Sequence, residues 1–376
     1  MFKLFLAFPA VLFASILLAQ QAVRVEIETL PGYHSVDSDI YIAGSFNGWN
    51  PKDDNYRFAK TGKGGYYISL RLDAGKYQYK ITRGGWDKVE CKKGGAGIAN
   101  RILVIPSDTS VNLVIEEWAD NIVAKPKVST ASKNVRIIDT AFLIPQLNRT
   151  RRIWIYLPGD YAVSKKRYPV LYMHDGQNVF EDTTSFSGEW GVDECLDSMK
   201  KKCIVVAIDH GGGKRTNEYC PYDMERFGKG EGDQYVDFLA KTLKPYIDKR
   251  YRTLKGRPNT YIAGSSMGGI ISMYALLKYP KVFGGAGVFS PAFWIGPKIF
   301  NDIKAKGKLV NARIYFYAGK QESETMVPYL LRAFLGMSNV SKSKMITVVR
   351  DEGKHNEARW REEFPLFYNW INFQTP

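Results

Sequence analysis

The sequence predicts an α/β protein preceded by a small all-β domain. Three observations carry this. Short runs alternating polar and apolar residues fill about 22–118, strands and helical patterns alternate from about 134 to 376, and a Pro- and Ser/Thr-containing stretch, 119–133, lies between them. Strand–helix alternation implies a mostly parallel sheet with helices on both faces. Evenly spaced short strands imply an immunoglobulin-like sandwich.

The 376 residues are 45% hydrophobic and 24% charged. Those fractions exclude wholesale disorder, collagen-like repeats and a polytopic membrane protein. Residues 1–19 read as a signal peptide: Lys3 is basic, and Leu4 to Leu18 is almost wholly apolar. That run is shorter than the ~20 residues a membrane helix needs. Cleavage after Ala19 is expected, and with it a secreted or periplasmic protein with no membrane span after signal removal. Cys91, Cys195, Cys203 and Cys220 form no CxxC pair and no Cys/His cluster, so no zinc site is expected and the thiols read as small buried hydrophobes.

In the first domain the alternating runs are Val23–Ile27, Ile40–Ile42, Tyr66–Leu72, Tyr77–Ile81 and Val111–Ile115. Pro31-Gly32, Asn47-Gly48, Gly64-Gly65, Ala74-Gly75 and Gly84-Gly85 supply turns between them. The stretch 119–133 reads as a solvated linker. Beyond it, Val135 to Tyr156 reads as a hairpin. Strands are expected at Val170–Met173, Ile204–Ile208, Thr260–Ala263, Arg313–Tyr317 and Met345–Val349, and helices at Gln234–Tyr251 and Gly269–Lys278.

The charge is unevenly spread. Residues 1–125 hold 15 basic and 13 acidic side chains; residues 126–376 hold 38 and 25. The bases are dispersed and accompany no nucleic-acid-binding motif, so no nucleic-acid partner is expected. A basic surface does attract anionic polymer.

Gly264-Ser265-Ser266-Met267-Gly268 fits G-x-S-x-G, placed between a predicted strand and a predicted helix. That is the context of a nucleophile elbow, with Ser266 lifted off the sheet edge. A serine hydroxyl needs a general base. Of the four histidines, His34, His174 and His210 precede the serine; only His355 follows it, in a loop past the last predicted strand. The order Ser, acid, His then places the acid after Arg313–Tyr317, at Glu322 or Glu324. Glu322 is nearer the strand end and is preferred. The oxyanion needs two N–H donors. Met267, directly after the serine, supplies one. Gln177, in the loop His174-Asp-Gly-Gln-Asn, supplies the other. His174, Asp175, Asp209 and His210 match no hydrolytic metal spacing, and no cofactor is implied. Phe180, Trp190, Phe293 and Trp294 are candidate pocket walls, with core packing an equal explanation.

Residues 135–376 resemble the esterase family that includes esterase D, feruloyl, acetyl-xylan and enterochelin esterases and mycolyltransferases. The resemblance rests on Tyr156-Leu-Pro, His174-Asp-Gly-Gln-Asn, Arg215-Thr-Asn-Glu-Tyr, Gly264-Ser-Ser-Met-Gly-Gly, Ser290-Pro-Ala-Phe-Trp, and His355-Asn-Glu followed by Trp360. It implies an α/β-hydrolase fold, Ser266 as nucleophile, His355 as base, Glu322 as third member, and the Gln177 and Met267 amides as oxyanion donors. Several relatives have Asp where Glu322 stands. The first domain is similar to starch- and glycogen-type carbohydrate-binding modules, through Tyr41-Ile-Ala-Gly-Ser-Phe-Asn-Gly-Trp-Asn, Tyr79-Lys80, Trp86 and Asn100-Arg101. The resemblance implies Trp49 and Trp86 as stacking aromatics and Lys80 as a hydroxyl ligand; a second reading has these aromatics pack a domain that shapes the active site. Cys91 stands where a second stacking aromatic would fall.

Together these imply a secreted serine carboxylesterase acting through an acyl-enzyme on acyl or hydroxycinnamoyl esters of plant polysaccharide. Two alternatives stand beside it: a siderophore esterase of the enterochelin type, and a glycan-binding protein with an inactive hydrolase domain.

Overall fold

The computed structural model describes residues 20–62, 64–107, 110–122, 128–186, 188–199 and 202–371. The predicted signal, 1–19, lies outside the described residues. Among those described, no helix is long and apolar enough to cross a membrane. The chain divides into two compact units, Met1–Pro126 and Lys127–Pro376.

In the first unit, strand Gln21–Thr29 pairs antiparallel with Tyr66–Leu72 and parallel with Ser110–Val114. A second sheet orders Tyr41–Gly44, Gly75–Thr82 and Arg101–Ile105. Period-two alternation explains the packing. Val23, Val25 and Ile27 point into the core, which is completed by Tyr79, Ile81, Leu103 and Trp118. Strand Arg101–Ile105 escapes the period-two signal because both of its faces are apolar: Leu103 and Ile105 are buried, yet Ile102 and Val104 are exposed.

The second unit is built on one eight-stranded sheet. Its strands are β1 (Val135–Ile144), β2 (Arg149–Tyr156), β3 (Val170–His174), β4 (Ile204–Ile208), β5 (Thr260–Ser265), β6 (Gly285–Phe289), β7 (Arg313–Gly319) and β8 (Lys344–Arg350). The spatial order is β1-β2-β4-β3-β5-β6-β7-β8. β1 and β2 form the predicted hairpin, β2 joins β4 antiparallel, and every later pairing is parallel. The inner strands β3 to β6 are buried along their whole length, as a doubly covered parallel sheet requires.

Successive side chains serve opposite layers. Val170, Tyr172, Val206, Ile262 and Phe316 pack under the helices Gly232–Phe238, Met267–Lys278 and Met326–Val340. Leu171, Met173, Val205, Ala263 and Tyr317 pack under Val192–Ser198 and Glu357–Trp370. The helix Met267–Lys278 is buried from Met267 through Leu277, so the strand before it and the turn that links them are fixed from both sides.

β6, Gly-Ala-Gly-Val-Phe, carries little strand propensity, and the sequence pattern does not reveal it. Its glycines are steric necessities. A Cβ at Gly285 would lie 2.2 Å from Tyr261 Cε1 and 2.6 Å from the Arg313 carbonyl oxygen; one at Gly287 would lie 2.8 Å from the Phe367 ring.

The stretch expected to be a solvated linker is tied down at both ends. The Ala119 amide donates to the Val89 carbonyl (2.9 Å) in the first unit. Ser129 Oγ donates to Glu181 (2.5 Å), Thr130 Oγ1 to Glu189 (3.0 Å) and the Ser132 amide to Asp193 (2.7 Å). These carboxylates are all buried, and buried carboxylates need donors. Residues 123–127 lie outside the described residues. Cys91, Cys203 and Cys220 are buried, Cys195 is half-buried, and all four are free thiols.

Gly285→Val should destabilise the second unit by roughly 1–3 kcal/mol through overpacking. Denaturant unfolding followed by tryptophan fluorescence measures this; an unchanged midpoint would contradict the close approach of β5 and β6.

Candidate active site

β5 ends at Ser265, and Ser266 then adopts φ 56°, ψ −118° before the helix begins at Met267. A positive φ at a non-glycine residue is strained and persists only where the surroundings hold it. Here the Ser266 amide donates to the Phe289 carbonyl (3.0 Å), and the Ser266 carbonyl accepts from the Ala292 amide (3.0 Å). The flanking glycines make room: a Cβ at Gly264 would lie 2.9 Å from His174 Cδ2, and one at Gly269 would lie 2.9 Å from the Phe289 carbonyl oxygen. Ser266 is half-buried, at the C-terminal edge of the sheet.

His174 is a pillar under this turn. Its ring abuts Gly264 and Gly268, its Nδ1 is 3.0 Å from the Tyr235 hydroxyl, and burial pushes the imidazole down to about 3. It is neutral at ordinary pH, and it packs against the glycines that flank the serine. His34 packs against Tyr66 and Trp118 in the first unit.

His355 stands in the loop after β8. Its Nδ1 lies 2.7 Å from Glu322 Oε2. The Glu322 side chain is only 1% exposed. Its other oxygen accepts from the Gly319 amide (2.6 Å) and the Ser290 hydroxyl (2.7 Å). With a carboxylate as its partner, Nδ1 carries the ring proton of the neutral imidazole and the Nε2 lone pair is left available. The two loops meet where side chains are absent: a Cβ at Gly319 would lie 2.3 Å from the Gly353 carbonyl carbon. Glu324 is exposed, and the structure brings Glu322, not Glu324, onto His355. Ser266 Oγ makes no hydrogen bond to His355 among the described residues. Such bonds often tighten only when substrate is bound.

Ser290 is the residue that sequence reasoning missed. It lies just past β6, at φ 42°, and its amide donates to the Tyr317 carbonyl (2.7 Å). Its hydroxyl donates to Glu322 and accepts from the buried Trp360 indole N–H (2.9 Å). Trp360 in turn meets the His355 ring edge-to-face at 5.1 Å. The signal was present in Ser290-Pro-Ala-Phe-Trp and Trp360, quoted above for the resemblance but given no role.

The oxyanion candidates sit on two tight turns. Met267 opens its helix, where an N–H has no acceptor within the helix. Gln177 is in the one-turn helix Gly176–Asn178, entered by Asp175 at φ 57°. A Cβ at Gly176 would lie 2.8 Å from the Ile208 backbone. Arg215 clamps Asp175 through two bonds, 2.6 and 2.8 Å, and its charge holds that carboxyl below its usual range against burial. Of the four candidate pocket walls, Phe180, Trp190 and Phe293 are core residues, because they fill the layers beneath the loops; Trp294 is 39% exposed.

In the first unit Trp49 and Trp86 come together, ring centroids 6.2 Å apart and tilted by 43°. Lys80 Nζ donates to the Ile98 carbonyl, and burial lowers its pKa. Asn100 bonds to Gln78 (2.9 Å), Arg101 pairs with Glu90, and Cys91 is buried.

The sheet order and the strained serine turn at its edge define an α/β-hydrolase fold. Residues 144–368 match the family model described as "Putative esterase", and the chain belongs to that family. Residues 37–117 match the pullulanase X25 domain. The chain is 30% identical over 157 residues to an endo-1,4-beta-xylanase/feruloyl esterase of Xylanibacter ruminicola, covering 40% of this chain and 21% of that protein. It is 38% identical over 94 residues to an alpha-amylase of Niallia circulans, covering 24% of this chain and 7% of that one. The chain thus spans well under half the length of both. Among solved structures, an enterochelin esterase of Shigella flexneri shares the fold with a TM-score of 0.51 at 17% identity, covering 94% of this chain and 92% of that one.

Glu322→Gln should lower kcat at least tenfold more than Glu324→Gln, since only the former breaks the bond to His355; steady-state kinetics on p-nitrophenyl acetate reads this, and the reverse order would reassign the acid. Ser290→Ala strips one donor from Glu322 and leaves the Trp360 N–H without its acceptor. A loss of about 1–3 kcal/mol of stability, accompanied by a lower kcat, is expected.

Proposed function

We propose that this protein is a secreted or periplasmic serine carboxylic-ester hydrolase acting on acyl or hydroxycinnamoyl esters of plant polysaccharide. The observation that carries the reading is the pairing of His355 with the buried Glu322 carboxylate at the sheet edge that also presents Ser266.

In this mechanism Ser266 Oγ attacks the ester carbonyl as His355 Nε2 takes its proton. Glu322 holds the ring and stabilises the imidazolium that forms. The Gln177 and Met267 amides receive the oxyanion. His355 then gives the proton to the leaving alcohol, an acyl-enzyme forms on Ser266, and water activated by His355 releases the acid. The feruloyl esterase relative supports the substrate class, and the X25 match supports a glycan-bearing alcohol with Trp49, Trp86 and Lys80 as its contacts. No cofactor takes part.

A siderophore lactone is the second reading, favoured by the likeness in fold to the enterochelin esterase along both units. Turnover of feruloylated and acetylated xylo-oligosaccharides is therefore measured against ferric enterobactin, with Ser266→Ala as blank. Ser266→Ala should lose at least about a thousandfold in kcat. Preferential cleavage of enterobactin would replace the polysaccharide reading, and equal wild-type and Ser266→Ala rates on every ester would favour a glycan-binding protein.

A further inference from the structure

The Gln177 turn and the His355 loop are rooted far apart in the sheet. Gln177 follows β3 and His355 follows β8, and β5, β6 and β7 lie between those two strands. At about 4.8 Å per strand, their roots stand roughly 19 Å apart along the sheet edge. The sheet alone therefore leaves open how the oxyanion amide lies against the imidazole. A contact between the loops must set it.

One polar bond joins the loops beside the two residues in question. Asn178 Nδ2 donates to Glu357 Oε1 (3.1 Å). Asn178 adjoins Gln177, and Glu357 stands two residues past His355. Both side chains are buried. The orientation of the Asn178 amide is fixed, because its Oδ1 accepts from the Phe186 amide (3.2 Å) and leaves Nδ2 facing the carboxyl group. Glu357 is not needed to cap its helix; Asn356 does that, accepting from the Arg359 amide (3.1 Å). An acid in a first helical turn ordinarily stays in water, where it complements the helix dipole. Glu357 instead turns inward, where burial and the Asp175 carboxylate raise its pKa against the charges of His355 and Arg215. The same two segments also meet through Trp190 and Trp360, stacked at 5.7 Å, and through Arg361 and Glu189 (3.0 Å). Those contacts remain when the bond is cut, so cutting it shifts register rather than unfolding the loops.

We infer that Asn178 and Glu357 are positioning residues whose bond sets the Gln177 oxyanion turn against the His355 loop. This rests on the serine-esterase reading above and deepens it. The oxyanion donor and the imidazole both act on charge that develops in the transition state. Misplacing one against the other therefore lowers kcat and leaves KM.

The test is steady-state hydrolysis of p-nitrophenyl acetate, per folded molecule, by wild type, Glu357→Ala, Asn178→Asp, Glu357→Gln and the double variant Asn178→Asp/Glu357→Gln. Glu357→Ala removes the acceptor, and Asn178→Asp sets two carboxyl groups face to face. Each should lower kcat about ten- to a hundredfold, with KM changed less than about twofold. Whichever of the two folds carries the test. Glu357→Gln keeps an acceptor for Nδ2 and should retain most of the wild-type kcat. The double variant restores the bond with donor and acceptor exchanged, and should regain at least about fivefold over Asn178→Asp. Unchanged kcat in Glu357→Ala and Asn178→Asp overturns the inference, as does a loss carried by KM or a double variant no better than Asn178→Asp. If neither single variant folds, the bond serves stability alone and the inference is likewise overturned. In each of these cases the wild type still cleaves ester through Ser266 and the esterase reading stands. Absence of Ser266-dependent turnover in the wild type overturns both.

Discussion

A buried carboxylate must be fully supplied with donors or it will not stay charged. Glu322 is a buried carboxyl group, and the candidate active-site edge of the second unit is arranged around it. Its three donors come from the end of β7, from the turn after β6 and from the loop after β8. Holding one carboxylate therefore fixes three loops. The turn after β6 is the same segment whose amide at Ala292 grips Ser266. Through Ser290 and Trp360 the helix Glu357–Trp370 is drawn in as well.

The serine side of the site has a different basis. There the constraint is steric rather than electrostatic. Ser266 keeps its strained backbone because glycines on either side admit the His174 ring and the Phe289 carbonyl so closely. Burial pushes the His174 imidazole down to about 3, so the support under the Ser266 turn stays neutral between mildly acid and neutral solution. His174 is buried beneath the turn, whereas His355 stands part-exposed in its loop.

Most of this was legible in the sequence. G-x-S-x-G between a strand and a helix located Ser266, and chain order left one histidine. The acid was narrowed to two glutamates, and only coordinates bring Glu322 onto the imidazole. What stayed hidden has physical reasons. β6 is glycine-rich because its neighbours leave no room for side chains, and that erases its strand propensity. Arg101–Ile105 is apolar on both faces, so its alternation vanishes. The helix Glu357–Trp370 contains Pro365, a residue that argues against a helix interior. Ser290 looked like a motif residue without a task because its task, bridging an indole and a carboxylate, exists only in three dimensions. Phe180, Trp190 and Phe293 read as pocket or core alike, since periodicity does not tell a loop-facing aromatic from a buried one.

The residues that meet at Glu322 span Ser290 to His355 along the chain. During synthesis, Ser266 and its turn leave the ribosome about ninety residues before His355 does. A growing chain therefore carries the Ser266 turn before the loop that bears His355 exists. The segment bearing the imidazole and the indole, His355 to Trp360, is the last of these to be made.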